Sequence, residues 1–250
     1  MPRAVQITDR DRLLLAFAAE HRFVTAAQIA VVLETTAAAA DARLRALSAG
    51  GYLCREFKLH RAPAAHRITR EGLRAVGSDL PTPRRLDLAL YQHDEGLAWL
   101  MLSARRGRFG ELHDVVSERR MRSEDARGPD RGARHGVRLG GVGRNGRDRM
   151  HYPDMVVVTD SGHRVAFELE LTTKGRDRRE RILAGYAADR RIDAVIYLVD
   201  RPAVGKAIER SAARVDTSDL VRVQNVRLAR AQPPASGVRA AQRSHDRGGR

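Results

Sequence analysis

The chain has 250 residues, 42% of them hydrophobic, and a formal net charge of +15. That length has room for two domains with modest cores. No apolar run approaches the ~20 residues of a membrane helix, and a secretory signal is not expected from the polar start, so a cytoplasmic protein without a membrane partner is expected. Cys54 is the only cysteine, which excludes a disulfide framework and a zinc cluster; a buried thiol in a reducing compartment is the expectation.

In chain order, Thr8 precedes DRDRLLLAFAAEHR (9–22), which the spacing predicts to be a helix with Leu13, Leu14 and Phe17 on one side. Thr25 with Gln28 forms a capping box ahead of Ile29, Val32 and Leu33. A break at Glu34, Thr35 and Thr36 opens a third helix through Ser48, with Ala40, Leu44 and Leu47 inward. Gly50-Gly51 stops it, YLCREFKLH (52–60) alternates as a strand, a turn follows at Arg61-Ala62-Pro63, and AHRIT (65–69) returns. Thr69 caps a fourth short helix that Gly77 ends. Helices followed by a basic hairpin predict a winged helix-turn-helix over 1–80, which would lay its third helix in the DNA major groove and its wing on the backbone. Arg43, Arg45, Arg55, Lys58, Arg61 and Arg67 are the candidate phosphate contacts, with Thr35, Thr36 and Arg45 approaching the duplex from the third helix. Ala37 through Ala40 present no donors to base edges, so direct readout is expected to be thin.

Residues 81–121 are expected to connect the modules by helices packing on the second. QHDEGLAWLMLSARRG (92–107) places Leu97, Leu100 and Met101 at helical spacing beside the only tryptophan, Trp99, while His93 is expected to cap the helix or lie at the surface. Residues 122–149 are rich in Gly and Arg with few large apolar residues, and are expected to be a flexible insertion. The tail 229–250 has the same style and is expected to be disordered. By count, 119–149 carries +6 and the tail +4 of the total charge, so most of the excess lies where polyanions would bind by counterion release.

Residues 150–228 contain the chemistry-bearing pattern. HYPDMVVV (151–158) and VAFELEL (165–171) flank TDSGH (159–163). A three-residue loop, Asp160-Ser161-Gly162, with Gly162 as the left-handed bulge residue pairs Thr159 with His163 and brings Asp154 opposite Glu168. A two-residue loop would put Asp154 and Glu168 on opposite faces; the Asp-Ser-Gly chemistry favours the three-residue form. Glu168 and Glu170 share a strand face. His151 and His163 flank the hairpin. A basic amphipathic helix over 176–190 with Ile182, Leu183 and Tyr186 inward, a buried strand over 192–200, a helix over 202–215 and an alternating strand over 220–228 complete a mixed α/β sheet.

Pro153-Asp154 with Glu168-Leu169 resembles the PD-(D/E)xK nuclease superfamily, whose restriction-endonuclease-like core carries an Asp after Pro, then an acid, an apolar residue and a Lys. Glu170 stands where that Lys is usual, and Lys174 lies four residues on. The resemblance implies Asp154 and Glu168 as ligands of Mg²⁺ or Mn²⁺, Glu118 in SERRMR (117–122) as a further acid, and Glu170 or Lys174 tuning the attacking water. HRITREGLRAVG (66–77), YQHDEGLAWLML (91–102), SERRMR, PDMVVV and FELEL, in that order, are together similar to the replication-relaxation family of plasmid and other mobile-element proteins, over about residues 5–200. In that comparison Asp154, Glu168 and Glu170 match the acids of the second domain, and Tyr186 an aromatic of the helix after them. The resemblance implies binding of double-stranded DNA in replication, relaxation or mobilisation, with a relaxase or replication protein, or a second copy of the chain, as partner. The nuclease-like domain is then expected to bind rather than cut. The alternatives are a Mg²⁺-dependent endonuclease that nicks DNA through Asp154 and Glu168, and a winged-helix transcriptional regulator.

Overall fold

The computed structural model describes residues 5–57, 62–128, 134–143, 146 and 148–227. The protein is a mixed α+β fold. Its front half begins with α1 (Asp9–Glu20), α2 (Ala26–Val32) and α3 (Ala37–Ala49), followed by an antiparallel hairpin of β1 (Leu53–Glu56) and β2 (Ala65–Ile68), then α4 (Arg70–Ala75). Each helix starts where a side-chain oxygen satisfies an orphan backbone N–H. The Thr8–Asp11 and Thr25–Gln28 pairs are both reciprocal capping boxes, Thr36 accepts from Ala39 N, and Thr69 accepts from Gly72 N. Ala40, Leu44 and Leu47 face inward as their spacing demands. The stripe on α1 is corrected: Leu14 and Leu15 are buried while Leu13 is 61% exposed. In a run of three leucines periodicity cannot choose the face, and contact with α2 and α4 decides it.

The rear half is a five-stranded sheet ordered β3 (Leu112–Ser117), β6 (Met155–Thr159), β7 (Arg164–Glu170), β8 (Ala194–Val199), β9 (Val221–Asn225). The first three strands are antiparallel and the last two run parallel to β7. One face carries Met155, Val157, Phe167, Leu169 and Leu198 under α5 (Tyr91–Arg105), and its core runs without interruption into that of α1–α3. The other face carries Ala166, Val195, Tyr197 and Val199 under α7 (Arg176–Ala188) and α8 (Pro202–Arg214). Covered on both faces, β7 is buried from Ala166 to Glu170.

The turn between β6 and β7 takes the three-residue form. Thr159 N donates to His163 O at 2.9 Å, Gly162 sits at φ +85°, and Val158 pairs with Arg164.

The expectation of a flexible insertion over 122–149 is overturned for much of its length. Residues up to Arg127 complete α6 (Glu118–Arg127), and β4 (Val137–Val142) pairs with β5 (Asp148–His151) as a ribbon on α7. The few apolar residues of the segment suffice because they are well placed: Val137 is fully buried, and Gly185 of α7 lets the backbone of Arg138 approach so closely that a Cβ there would stand 2.8 Å from its oxygen. Asp125 fixes the entrance to the ribbon by accepting from His135 N and Gly136 N. The tail from residue 228 lies outside the described residues.

Candidate functional site

The acids gather where β6 begins and β7 ends. Met155 pairs with Phe167, so the next rung of the ladder brings Asp154 level with Glu168, as the three-residue loop requires. Glu168 and Glu170 are not on a solvated face. They are 2% and 6% exposed, because α7 and the β4–β5 ribbon close over that side of the sheet.

Buried carboxylates need partners, and each here has its own. Asp154 Oδ2 accepts from Leu169 N at 2.8 Å and from His93 Nε2, on the first turn of α5, at 3.2 Å. Burial alone would push the His93 imidazole down, but its hydrogen bonds to Asp154 and Asp94 outweigh that and carry it up to about 10. His93 is therefore an imidazolium near neutral pH, and Asp154 is held below the usual carboxylate range by it despite burial. Glu168 Oε1 accepts from the Tyr186 hydroxyl on α7 and lies 2.5 Å from His151 Nε2 at the end of β5. Burial, and then the Glu168 charge, hold the Tyr186 phenol well above its ordinary value, so it stays a donor. Glu170 pairs with Lys174. Burial raises the Glu170 carboxyl and the neighbouring Glu168 and Asp154 charges add to that, against the pull of Lys174. Lys174 is itself raised, because Glu168, Glu170 and Asp154 together outweigh its burial.

Glu118 enters from the side. Its backbone N–H donates to Asp154 O at 3.1 Å, while its carboxylate pairs with Arg122 at 2.7 Å and faces Arg22 at 3.9 Å. Arg22, from the loop after α1, also reaches Asp94 at 3.4 Å, and Asp94 lies 3.6 Å from His93. The front half thus contributes a guanidinium to the network that holds His93 on Asp154.

The three acids expected to share a metal are engaged with side chains and backbone of the same chain. Asp154, Glu168 and Glu118 are each turned to separate partners, and among the described residues no group of three or more His, Cys, Asp or Glu is disposed to hold a metal ion. Positive charge beside these acids is supplied by His93 and Lys174. What the cluster does support is a closed, charge-balanced end to the sheet that ties α5, α7 and the ribbon together.

The basic candidates of the front half divide. Arg43 is bound to the buried Asp11 carboxylate and to Gln6 O, and Arg67 to Glu56 and Pro83 O. Both guanidiniums expected to contact phosphate are thus engaged within the chain. Arg45 on α3 is 56% exposed at its side chain and shares Asp41, at 3.1 Å, with Arg55 of β1, at 3.9 Å. Thr36 is spent as the α3 cap and Thr35 is half-buried in the turn before it. Lys58 and Arg61 lie outside the described residues. Sequence reasoning missed His93 as the partner of Asp154 and Arg22 as the link to it. The His93-Asp94 pair at a helix start was the only local signal, and nothing in it points to a residue 61 positions away. Compared with family models, with curated proteins and with solved structures, the chain gives no match in any of the three.

Proposed function

We propose that the protein binds double-stranded DNA through a winged helix formed by α1–α3 and the β1–β2 hairpin, in the replication, relaxation or mobilisation of a plasmid or other mobile element. The observation that carries this reading is the pairing of Arg45 and Arg55, from the third helix and the hairpin, around the single carboxylate of Asp41. Two cations against one anion on adjoining elements leave a net positive face where a duplex would lie, and phosphate contact there needs no base-specific donors. The rear sheet, in this reading, resembles the PD-(D/E)xK fold but serves for docking, since its acids are neutralised by side chains of the same chain. Anisotropy with a mixed-sequence duplex tests the proposal. Arg45→Ala with Lys58→Ala should weaken binding equally on all sequences and reduce the salt slope by about two phosphates' worth, and a wild-type chain that ignores duplex DNA in dilute salt would reject it.

One observation favours a second reading, a metal-dependent endonuclease. Lys174, in the loop between β7 and α7, reaches back to Glu170, so a Lys is present near Asp154 and Glu168 although the motif position lacks it. Plasmid nicking with Mg²⁺ or Mn²⁺, lost in both Asp154→Ala and Glu168→Ala, would establish cutting over docking.

A further inference from the structure

Phe57 stands apart from the other aromatic residues of the chain. It is 67% exposed, and among the described residues it is the only aromatic in the set of exposed large hydrophobic side chains. Its position follows from the hairpin register. The β1–β2 ladder ends with Glu56 opposite Ala65, so Phe57 lies one residue past the last paired rung and has no ladder partner among the described residues. The Arg55 guanidinium sits 4.4 Å from the ring centroid and holds the ring against one cation while leaving most of it open. Arg55 in turn shares Asp41 with Arg45, which places the exposed ring at the margin of the positive face.

A large apolar ring kept in water beside cations is costly for a solubility role and suited to a partner that presents both anions and flat apolar faces. Nucleic acid does both: its phosphates complement Arg45 and Arg55, and base edges and faces accept an aromatic ring by stacking or by wedging between steps. Resting on the DNA-binding reading above, we infer that Phe57 is a base-contacting residue, inserted into the minor groove of duplex DNA from the hairpin while Arg45 and Arg55 hold the flanking phosphates. The contact adds a sequence-tolerant, shape-dependent component to a face that otherwise offers phosphate contacts alone, and it unstacks and bends the duplex at the point of insertion.

The test uses the full chain and a short mixed-sequence duplex carrying a fluorophore at each end, so that affinity and bend are read together. Phe57→Ala is expected to bind about tenfold more weakly and to abolish the bend, with Phe57→Tyr keeping both. Arg45→Ala with Arg55→Ala is expected to weaken binding and flatten its salt dependence. Phe57→Ala binding and bending like the native chain while the double arginine variant is weakened would overturn the inference and leave the DNA reading standing. A drop of several degrees in the melting temperature of Phe57→Ala would also overturn it, by showing that the ring is a packing element. Absence of duplex binding by the native chain would remove the DNA reading and this inference with it.

Discussion

Replacing His93 tests the charge balance of the acid cluster directly. The side chains of His93 and Asp154 are 27% and 13% exposed and 3.2 Å apart. Removing one partner of a buried ion pair costs about 3–5 kcal/mol, because the other is left charged and unpaired. With one edge of the imidazole reached by solvent, His93→Ala is expected to lose about 2–3 kcal/mol, a fall in melting temperature of roughly 5–10 °C for a chain of this size. The pH dependence gives the sharper check. The His93 pKa is raised on folding from 6.5 to about 10, so its contribution is fully present below pH 6.5 and disappears as the pH climbs through 10. Urea denaturation of native and His93→Ala protein between those limits should therefore show a stability gap that is widest at the acid end and closes at the alkaline end. His93→Gln, which keeps a hydrogen bond to Asp154 without the charge, should fall between the two. A gap below about 1 kcal/mol, or one that stays constant with pH, would refute the assignment of His93 as the cation of Asp154.

Asp11→Ala should destabilise by about 2–4 kcal/mol, since it strands Arg43 and removes half of the α1 capping box. Burial opposes the charge on Asp11, but hydrogen bonds from Arg43 and Thr8 prevail and lower its pKa from 3.8; its contribution is present above that value and lost as pH falls through the folded one, so acid titration of the native chain, but not of the variant, should show this component. Lys174→Met should cost about 3 kcal/mol by leaving Glu170 beside Glu168 and Asp154 without a counter-charge; Glu170→Gln in the same chain should recover part of that, measured as a double-mutant cycle. Gly185→Ala should loosen the ribbon on α7, seen as faster amide exchange in Val137–Val142 and Asp148–His151 with about 1–3 kcal/mol lost overall, because the added methyl meets the backbone of Arg138 at 2.8 Å. Deleting 229–250, which carries five Arg and one Asp, should reduce the salt slope of DNA binding and leave the melting temperature unchanged.

Features specified within a few residues were legible in the chain. Thr8 with Asp11, Thr25 with Gln28, Thr36 and Thr69 mark helix starts because capping is satisfied three residues away. Asp160-Ser161-Gly162 sets the β6–β7 register because only glycine adopts φ +85° without strain, and with that register Asp154 had to come level with Glu168. Where the chain was misread, the deciding partner is distant. Leu15 rather than Leu13 turns inward because of α2 and α4, and the Gly/Arg-rich segment folds because Gly185 accepts its backbone.

The sequence by itself therefore determined the helices and hairpin of the front half and the placing of the acids on one stretch of sheet, but not the strand over Leu112–Ser117 that edges that sheet or the β4–β5 ribbon that covers it. The tertiary structure alone decided what those acids and the basic residues face. Asp11 meets Arg43 across 32 residues and Asp154 meets His93 across 61, so a carboxylate that a motif resemblance marks as a metal ligand is already paired within the chain, and an arginine that a winged-helix pattern marks as a phosphate contact is already bound. The physical reason is range. Capping and turn conformation act through the bonded chain over one or two turns, whereas the role of a charge depends on the nearest opposite charge in space and on how much water remains between them.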